Sequence, residues 1–280
     1  MNTFETRNFD LDNGRGDTLS ARLEYPTEHP PVGFAIFANC FTCEKEFFAP
    51  KRITRALGEH GIAAVRFDFT GLGESGGDFS QTNFTTNLQD MRAVAEKIKA
   101  EFGLYPELLL GHSFGGAAAI GLAAILGNDT IKTVATIGAP KDPRHVMRHF
   151  EEHQQILERD GMIEITVANR IYTLRQQFAD DVKSHDIESQ TRAFTGGLFV
   201  FHDPKDDMVK FENAVEIFDR GGGPSYLVRM DGAGHMLSNT KATSYVADTL
   251  TDWVIKQQAP VGVHVETKNK YPGSTTKPQL

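Results

Sequence analysis

Short runs of predominantly apolar residues recur along the chain, and stretches with helical periodicity separate them. The runs cover residues 33–38, 62–67, 108–110, 134–137 and 198–201, and a further strand is predicted over 226–230. Apolar runs of strand length are typical of strands that are buried on both faces of a sheet. Between two of them, Leu88, Met91 and Ala95 recur at intervals of three and four, which is typical of an amphipathic helix. Strands that alternate with helices in this way predict an α/β fold with a mostly parallel central sheet and helices on both faces.

The amino-terminal residues follow a different pattern. Residues 4–8 alternate as a half-buried strand does, and Asn13-Gly14 is a hairpin signal that joins them to a strand over 19–25. Prolines at positions 26, 30 and 31 end this strand pair. The chain is therefore expected to open with an antiparallel hairpin.

The alternation of strands and helices is interrupted between residues 141 and 195. A charged, His-rich helical pattern covers 143–161, and a short hairpin is predicted about residues 168–170. We interpret 141–195 as a cap over the carboxyl edge of the sheet, with 1–140 and 196–258 forming the core of the fold. Residues 259–280, where the pattern ends, are expected to be a loosely ordered tail.

Several apolar residues of the predicted cap are candidates for lining a substrate pocket. The alternative, that each of them only packs the cap onto the body, stays open. They are Phe150, Ile156, Leu157, Ile163, Ile171, Tyr172 and Phe178.

Composition and charge restrict the possible partners. The chain of 280 residues is 40% hydrophobic and 24% charged, which is typical of a soluble globular protein. The net charge is −8, and neither Lys nor Arg forms a block, which argues against a nucleic-acid or anionic-membrane partner. No signal peptide is recognisable, and the longest uncharged run, 114–127, is shorter than the ~20 residues that a membrane span needs. We expect a cytoplasmic protein with a small-molecule partner, and the oligomeric state stays open.

The pentad Gly-His-Ser-Phe-Gly at 111–115 is the first candidate for chemistry. A GxSxG pentad alone is a weak signal, but an apolar strand precedes this one and an alanine-rich helix follows it, which is the context of a nucleophile elbow. The sharp turn strains the backbone at Ser113, and the flanking glycines relieve the crowding because they have no Cβ. Ser113 is therefore the predicted nucleophile, at the carboxyl end of a strand and near a helix N-terminus.

A serine hydroxyl needs a base, and the base needs a carboxylate that orients it. In the α/β-hydrolase arrangement these residues follow in the order Ser, acid, His. His235 lies in a short glycine-rich loop directly after the last predicted strand, which makes it the predicted base. His112 is expected to turn its side chain away from the chemistry.

Three carboxylates compete for the role of the acid. Asp203, Asp206 and Asp207 all follow the strand 198–201. Asp206 is favoured because Val209, three residues later, would anchor the loop in the core and leave Asp206 facing inward. Asp203 and Asp207 remain alternatives.

The oxyanion hole requires two backbone donors. The predicted donors are the N–H of Phe114, directly after the nucleophile, and the N–H of Phe41, in the loop after strand 33–38. Asp68 and the glycines at 71–73 are interpreted as a fitted turn, since the spacing of a dinucleotide fingerprint is absent. No cofactor and no metal are expected.

The two cysteines, Cys40 and Cys43, flank the predicted donor Phe41. Two cysteines are too few for a disulfide framework, and no second pair completes a zinc site. We expect them to be small side chains that pack the loop, with a redox pair as the alternative.

With these residues placed, the chain resembles the α/β-hydrolase superfamily. It is similar in particular to the hydrolase half of bacterial two-part proteins that join an α/β hydrolase to a C-terminal OsmC-like domain. The motifs that carry the resemblance lie at 39–45, 66–73, 111–116, 135–140 and 202–209, and the similarity covers 34–255. The resemblance implies the triad Ser113, Asp206 and His235 and an ester-hydrolase class.

Two departures from the family pattern limit what is carried over. Asn39 stands where the family has histidine, so the orientation of the oxyanion loop is open to change. The sequence stops where the OsmC-like partner would begin, so the peroxide-linked chemistry of that domain is not carried over.

The sequence thus predicts a serine hydrolase that cleaves carboxylic esters through an acyl-enzyme. A peptidase, an amidase or a thioesterase with the same triad is the alternative within enzymes. From another class, the alternative is an inactive hydrolase-like binding module.

Overall fold

The computed structural model describes residues 3–258 and contains twelve strands and eight α-helices in that range. The strands are β1 Phe4–Asn8, β2 Leu11–Asp12, β3 Thr18–Leu19, β4 Ala21–Pro26, β5 Gly33–Ala38, β6 Ile62–Phe67, β7 Leu108–His112, β8 Thr133–Ile137, β9 Met162–Val167, β10 Arg170–Arg175, β11 Gly197–His202 and β12 Ser225–Arg229. The helices are α1 Phe48–Glu59, α2 Phe84–Phe102, α3 Phe114–Leu126, α4 Gln154–Asp160, α5 Gln176–Ser184, α6 Ile187–Ala193, α7 Glu212–Arg220 and α8 Thr240–Gln258.

Eight of the strands form one central sheet in the order β1-β4-β6-β5-β7-β8-β11-β12. Within this sheet, the six strands β6, β5, β7, β8, β11 and β12 run parallel to one another. The strands β1 and β4 are antiparallel to their neighbours. The predicted α/β fold is confirmed, and β5 and β6 have the bounds that their apolar runs predict. The expected amino-terminal hairpin is present as well, with β1 paired to β4 and β2 to β3.

Helices cover both faces of this sheet. On one face α2, α3 and α7 pack against residues such as Val65 and Val134, and the segment between β8 and β11 adds Phe150 and Phe178 to the same cluster. On the other face α1 and α8 pack against residues such as Phe37. The strands in the middle of the sheet are buried on both sides, which explains their unbroken apolar runs.

The segment between β8 and β11 departs from the alternating pattern, but its first part is not one regular helix. Residues Pro143–His153 form a 3₁₀ segment, and Phe150, with φ −140°, interrupts the helical backbone before α4 begins. The predicted hairpin is present as β9 and β10, and its turn residues Ala168 and Asn169 have φ values of 49° and 62°. The domain boundaries assigned to the cap stay a prediction.

Contacts at two loops fasten this segment to the body. Arg170 in the hairpin forms an ion pair with Glu44, and Arg148 donates to the backbone carbonyl of Met208. The predicted tail, 259–280, lies outside the described residues. Within the described residues, no helix combines the length and the apolar character needed to span a membrane.

Candidate active site

A strained turn between β7 and α3 presents Ser113. Its φ and ψ are 53° and −122°, a combination that L-residues rarely adopt. The turn is tight because a Cβ on Gly111 would lie 2.6 Å from the Cα of Gly116. The Ser113 N–H donates to the Ile137 carbonyl at 2.8 Å, which ties the turn to β8. The backbone thus holds the Ser113 side chain at the carboxyl edge of the sheet.

His235 lies between Ser113 and Asp206. Its Nδ1 is 2.7 Å from Asp206 Oδ2, and its Nε2 is 3.2 Å from Ser113 Oγ. An ionised carboxylate can only accept, so the proton belongs on Nδ1, and Nε2 is left to accept from the Ser113 hydroxyl. The three predicted residues therefore form one chain of hydrogen bonds.

The environment of Asp206 favours its charged form. Burial alone would raise the pKa of Asp206, but the hydrogen bonds from His235 and from the Val209 N–H outweigh it and hold the pKa below its usual value. The Asp206 Oδ1 accepts from the N–H groups of Met208 and Val209, both at 2.8 Å. Val209 is buried, as expected from the sequence, and the loop turns Asp206 inward.

The two alternative carboxylates have other surroundings. Asp203 accepts from Lys205 N–H at 2.9 Å and from Gly234 N–H at 2.7 Å, so it joins the acid loop to the histidine loop. The side chain of Asp207 is exposed. Of the three carboxylates after β11, Asp206 is the one bonded to His235.

The orientation predicted for His112 is wrong. Its ring does not turn away but lies 5.1 Å from the ring of His235, centroid to centroid, and its Nε2 is 2.8 Å from the His235 carbonyl. Burial, and to a smaller extent the neighbouring His235, lower the pKa of His112 to about 4. The neutral ring therefore donates to the backbone of the predicted base. No local sequence pattern indicates this contact, because positions 112 and 235 meet only in the folded protein.

A second buried histidine supports the acid loop. His202, at the end of β11, has its Nε2 2.7 Å from the Val209 carbonyl and 3.6 Å from Asp206 Oδ2. Burial lowers its pKa as well, so it is a neutral donor to Val209. His202 was not among the predicted site residues.

The two predicted oxyanion donors lie on neighbouring segments. Phe114 is the first residue of α3, and its ring meets that of Phe41 edge-on with a centroid distance of 5.9 Å. Gly115 packs against the carbonyls of Ala38 and Asn39, and a Cβ there would lie 2.5 Å from the Asn39 oxygen. Within residues 3–258, neither the Phe41 nor the Phe114 N–H donates to another protein group. Both donors are thus available to a bound oxygen.

Buried polar contacts fix the two ends of the loop that carries Phe41. The Asn39 Nδ2 donates to the Phe67 carbonyl at 2.7 Å, while its Oδ1 has no partner among the described residues. At the other end, Asp68 accepts from the Lys45 N–H at 2.6 Å and from Lys45 Nζ at 2.7 Å. Asp68 therefore anchors the loop, in addition to the fitted turn expected from the sequence.

The expectation that Cys40 and Cys43 are separate packing side chains is wrong. Each is 7% exposed, but their sulfurs form a disulfide that closes a ring across Phe41 and Thr42. The two positions are only three apart, and the turn between them brings their Cα atoms to 5.2 Å. C-x-x-C spacing permits this bond, but spacing alone does not decide between a bond and two thiols.

Aromatic rings surround Phe41 beside the site. The Phe41 ring lies 5.6 Å from Phe178 of α5, 5.8 Å from Phe79 and 5.9 Å from the ring of His149. Of the cap residues considered for a pocket, Phe178 also contacts Phe114, whereas Ile171 is 69% exposed on the hairpin. The two predicted oxyanion donors, Phe41 and Phe114, therefore lie in a largely aromatic cluster next to Ser113.

Two histidines of the cap lie in this neighbourhood. Burial, and to a smaller extent Arg148, lower the pKa of His145 to about 4, and burial likewise lowers the pKa of His149. Within residues 3–258, no group of three or more His, Cys, Asp or Glu side chains is arranged to hold a metal ion.

A cleft of about 490 Å³, lined by Lys132 and Trp253 among others, opens at the edge of the sheet opposite to Ser113.

Known proteins share this architecture. A family model described as serine aminopeptidase, S33, matches residues 48–159. The esterase domain of a Rhodothermus marinus protein is 34% identical, with a TM-score of 0.71 over 90% of this chain and 98% of that domain. The chain belongs to the α/β-hydrolase superfamily. Its mostly parallel eight-stranded sheet is the fold of that superfamily.

More distant members of the superfamily are also similar. Est1E from Butyrivibrio proteoclasticus, in a structure with bound ferulic acid, has a TM-score of 0.75 at 21% identity over 89% of this chain and 98% of Est1E, which shows the shared fold alone. The mitochondrial palmitoyl-protein thioesterase ABHD10 of Rattus norvegicus is 23% identical over 206 residues. That match covers 70% of this chain and 66% of the thioesterase, just under two thirds of its length.

Proposed function

We propose that this α/β hydrolase is a serine esterase that cleaves carboxylic esters through an acyl-enzyme. The observation that carries the proposal is the chain of hydrogen bonds from Ser113 through His235 to Asp206, at the end of a strained elbow. Each member of this chain has the partner that its role requires.

The mechanism follows from these positions. His235 Nε2 takes the proton of the Ser113 hydroxyl as Oγ attacks the ester carbonyl, and Asp206 stabilises the imidazolium that forms. The N–H groups of Phe41 and Phe114 hold the oxygen that becomes negative. His235 then protonates the leaving alcohol, and the acyl group stays on Ser113. Water, deprotonated by His235, releases the acid and restores the serine.

Kinetics with short p-nitrophenyl esters test the proposal. We expect Ser113→Ala to lower kcat/KM by at least about 10³-fold, since the residual rate comes from binding and the oxyanion donors alone. Ser189→Ala, at an exposed position in the first turn of α6, is the matched control and should keep the wild-type rate. Unchanged hydrolysis by Ser113→Ala would refute the mechanism. Failure of a fluorophosphonate to label the wild-type protein would instead support an inactive binding module.

A thioesterase is the second candidate function. The name of the rat relative, a palmitoyl-protein thioesterase, favours it, and the same residues would serve because a thioester also forms an acyl-enzyme. Ester, thioester and amide substrates that share one acyl group distinguish an esterase, a thioesterase and a peptidase. We expect the highest kcat/KM on the ester.

Two further predictions from the sequence do not bear on the proposed activity. A cytoplasmic location stays a prediction. The likeness to hydrolases joined to OsmC-like domains rests on sequence motifs alone.

A further inference from the structure

Side-chain hydrogen bonds fix both ends of the loop that carries Phe41. Asn39 is bonded to the Phe67 carbonyl, and Lys45 is bonded to Asp68 through both its N–H and its Nζ. All three side chains of these anchors, Asn39, Lys45 and Asp68, are at most 1% exposed. The anchors leave residues 40–43 as the part of the loop whose shape depends on other constraints.

These four residues form a tight turn with an unfavourable residue in it. The Cys43 N–H donates to the Cys40 carbonyl at 3.1 Å, which closes a β-turn with Phe41 and Thr42 at its centre. Thr42 has a φ of 61°, whereas Phe41 has no positive φ, so the turn is of the type II kind that normally takes glycine at this position. For a β-branched residue such as Thr, a positive φ costs free energy.

The disulfide joins the first and last residues of the same turn. It therefore holds the two ends together while Thr42 keeps its unfavourable φ. Without the covalent link, non-covalent contacts would have to hold this conformation against the preference of Thr42 for a negative φ. They are the bond from Cys43 N–H to Cys40, the bond from Thr42 Oγ1 to the Phe41 carbonyl at 2.7 Å, and the packing of the Phe41 ring. A change of φ at Thr42 turns the peptide group between Phe41 and Thr42, and the backbone of Phe41 moves with it.

We propose that Cys40 and Cys43 form a thiol–disulfide site that controls the hydrolase by setting the position of the Phe41 N–H. The inference rests on the proposed function, in which this N–H is an oxyanion donor. The disulfide form is the fully active one, and the dithiol form has a lower kcat. The two cysteines are positioning residues, since they act through Phe41.

The reductant is a small dithiol, because each cysteine residue is only 7% exposed. One thiolate of the dithiol attacks a cysteine sulfur, breaks the S–S bond and forms a mixed disulfide. The second thiol of the reagent then displaces that cysteine and leaves as a cyclic disulfide. Two electrons and two protons pass to Cys40 and Cys43, which become thiols.

The disulfide is placed to control the shape of the turn, and it contributes little to the stability of the whole fold. It spans only a four-residue turn, and the stability that a disulfide provides grows with the length of the loop it closes. Opening it therefore acts mainly on the turn itself. In a reducing compartment, disulfides that form are usually transient, catalytic or redox-sensing.

Steady-state kinetics of the oxidised and the dithiothreitol-treated enzyme test the proposal. Alkylation with N-ethylmaleimide after denaturation, read by intact mass, gives the number of thiols in each sample. With two thiols present we expect kcat to fall about 10- to 100-fold, in the range that a displaced oxyanion donor costs, while KM changes less than about threefold. Reoxidation with diamide should restore kcat.

Two variants separate the disulfide from other effects of the reagent. The double variant Cys40→Ser/Cys43→Ser should have the lowered kcat with or without dithiothreitol, and its circular dichroism reports whether it is folded. Thr42→Gly accepts a positive φ without strain, so its kcat should fall less than about threefold on reduction. If the double variant does not fold, reduced wild type and Thr42→Gly still carry the test.

Several outcomes would overturn the inference. They are an unchanged kcat in wild type that has two thiols, a disulfide that resists dithiothreitol in the folded enzyme, and a Thr42→Gly variant that loses as much activity as wild type. If Ser113→Ala is inactive and any of these is found, this inference alone fails. If Ser113→Ala is as active as wild type, the proposed function fails, and the inference fails with it.

Discussion

Asp206 is held by its own loop before it meets His235. Two backbone N–H groups, from Met208 and Val209, bind its Oδ1 and leave Oδ2 for the imidazole. The carboxylate therefore needs little reorganisation to orient the base, and its lowered pKa keeps it charged well into the acidic range.

Replacing this carboxylate should remove most of the activity. We expect Asp206→Asn to lower kcat/KM by about 10³- to 10⁴-fold, because an amide at this position favours the wrong tautomer of His235. The neighbouring Asp207→Asn is the matched control, since Asp207 is exposed, and it should stay within about twofold of wild type. If Asp207→Asn lost the activity and Asp206→Asn kept it, the acid would be Asp207.

His112 makes the stability of the fold depend on pH. Its pKa of about 4 in the folded protein is below the ordinary value of 6.5, so the unfolded chain takes up this proton first as the pH falls. The native state is therefore destabilised relative to the unfolded state as the pH drops from 6.5 towards 4. A fully buried group with this difference contributes about 2–3 kcal/mol between pH 7 and pH 4.5.

The variant His112→Gln isolates this contribution. Its free energy of unfolding, measured with urea at pH 7 and at pH 4.5, should fall by less than that of wild type, because glutamine does not titrate. His29→Gln, at an exposed position, should keep the wild-type difference. An equal loss of stability in wild type and His112→Gln would show that His112 is not the neutral donor described above.

At the scale of elements, the site depends on how closely α3 approaches the end of β5. Gly115 in the first turn of α3 touches the carbonyls of Ala38 and Asn39, which are backbone atoms that cannot rotate away. The same contact places the Phe114 N–H next to the loop that carries Phe41. The glycine is thus required for the approach of two elements.

Gly115→Ala should disturb both stability and activity. The added Cβ would lie 2.5 Å from the Asn39 oxygen, so the helix or the loop must shift. We expect a loss of about 1–3 kcal/mol in the free energy of unfolding together with a lower kcat. Gly76→Ala is the control, since its Cβ would meet atoms no closer than 3.5 Å, and it should keep kcat. A wild-type kcat in Gly115→Ala would mean that the close approach does not set the donor geometry.

At the scale of the whole molecule, the local pattern of apolar and polar residues was sufficient to predict the core of the fold. Buried parallel strands need apolar residues on both faces, so β5 and β6 can be recognised from composition alone. The nucleophile elbow is also local, since the strand, Ser113 and the helix are consecutive. Ser113, Asp206 and His235 could be expected to lie close together because loops that follow parallel strands meet at one edge of the sheet.

Contacts between segments that are distant in the sequence could not be predicted from the local pattern of apolar and polar residues. His112 meets the backbone of His235, Asp203 meets Gly234, and Lys45 meets Asp68 only after the strands have paired. The disulfide is a different case, because whether two nearby cysteines are bonded depends on the turn between them. These contacts orient the candidate residues, whereas the sequence pattern identifies them.

The central claim is that Ser113 is the activated nucleophile of the hydrolase. Intact mass spectrometry after treatment with a fluorophosphonate, followed by peptide mapping, tests it most directly. The account predicts a single adduct per chain, on Ser113, and no adduct on Ser113→Ala. An unlabelled wild-type protein, or an adduct on another residue that persists in Ser113→Ala, would contradict it.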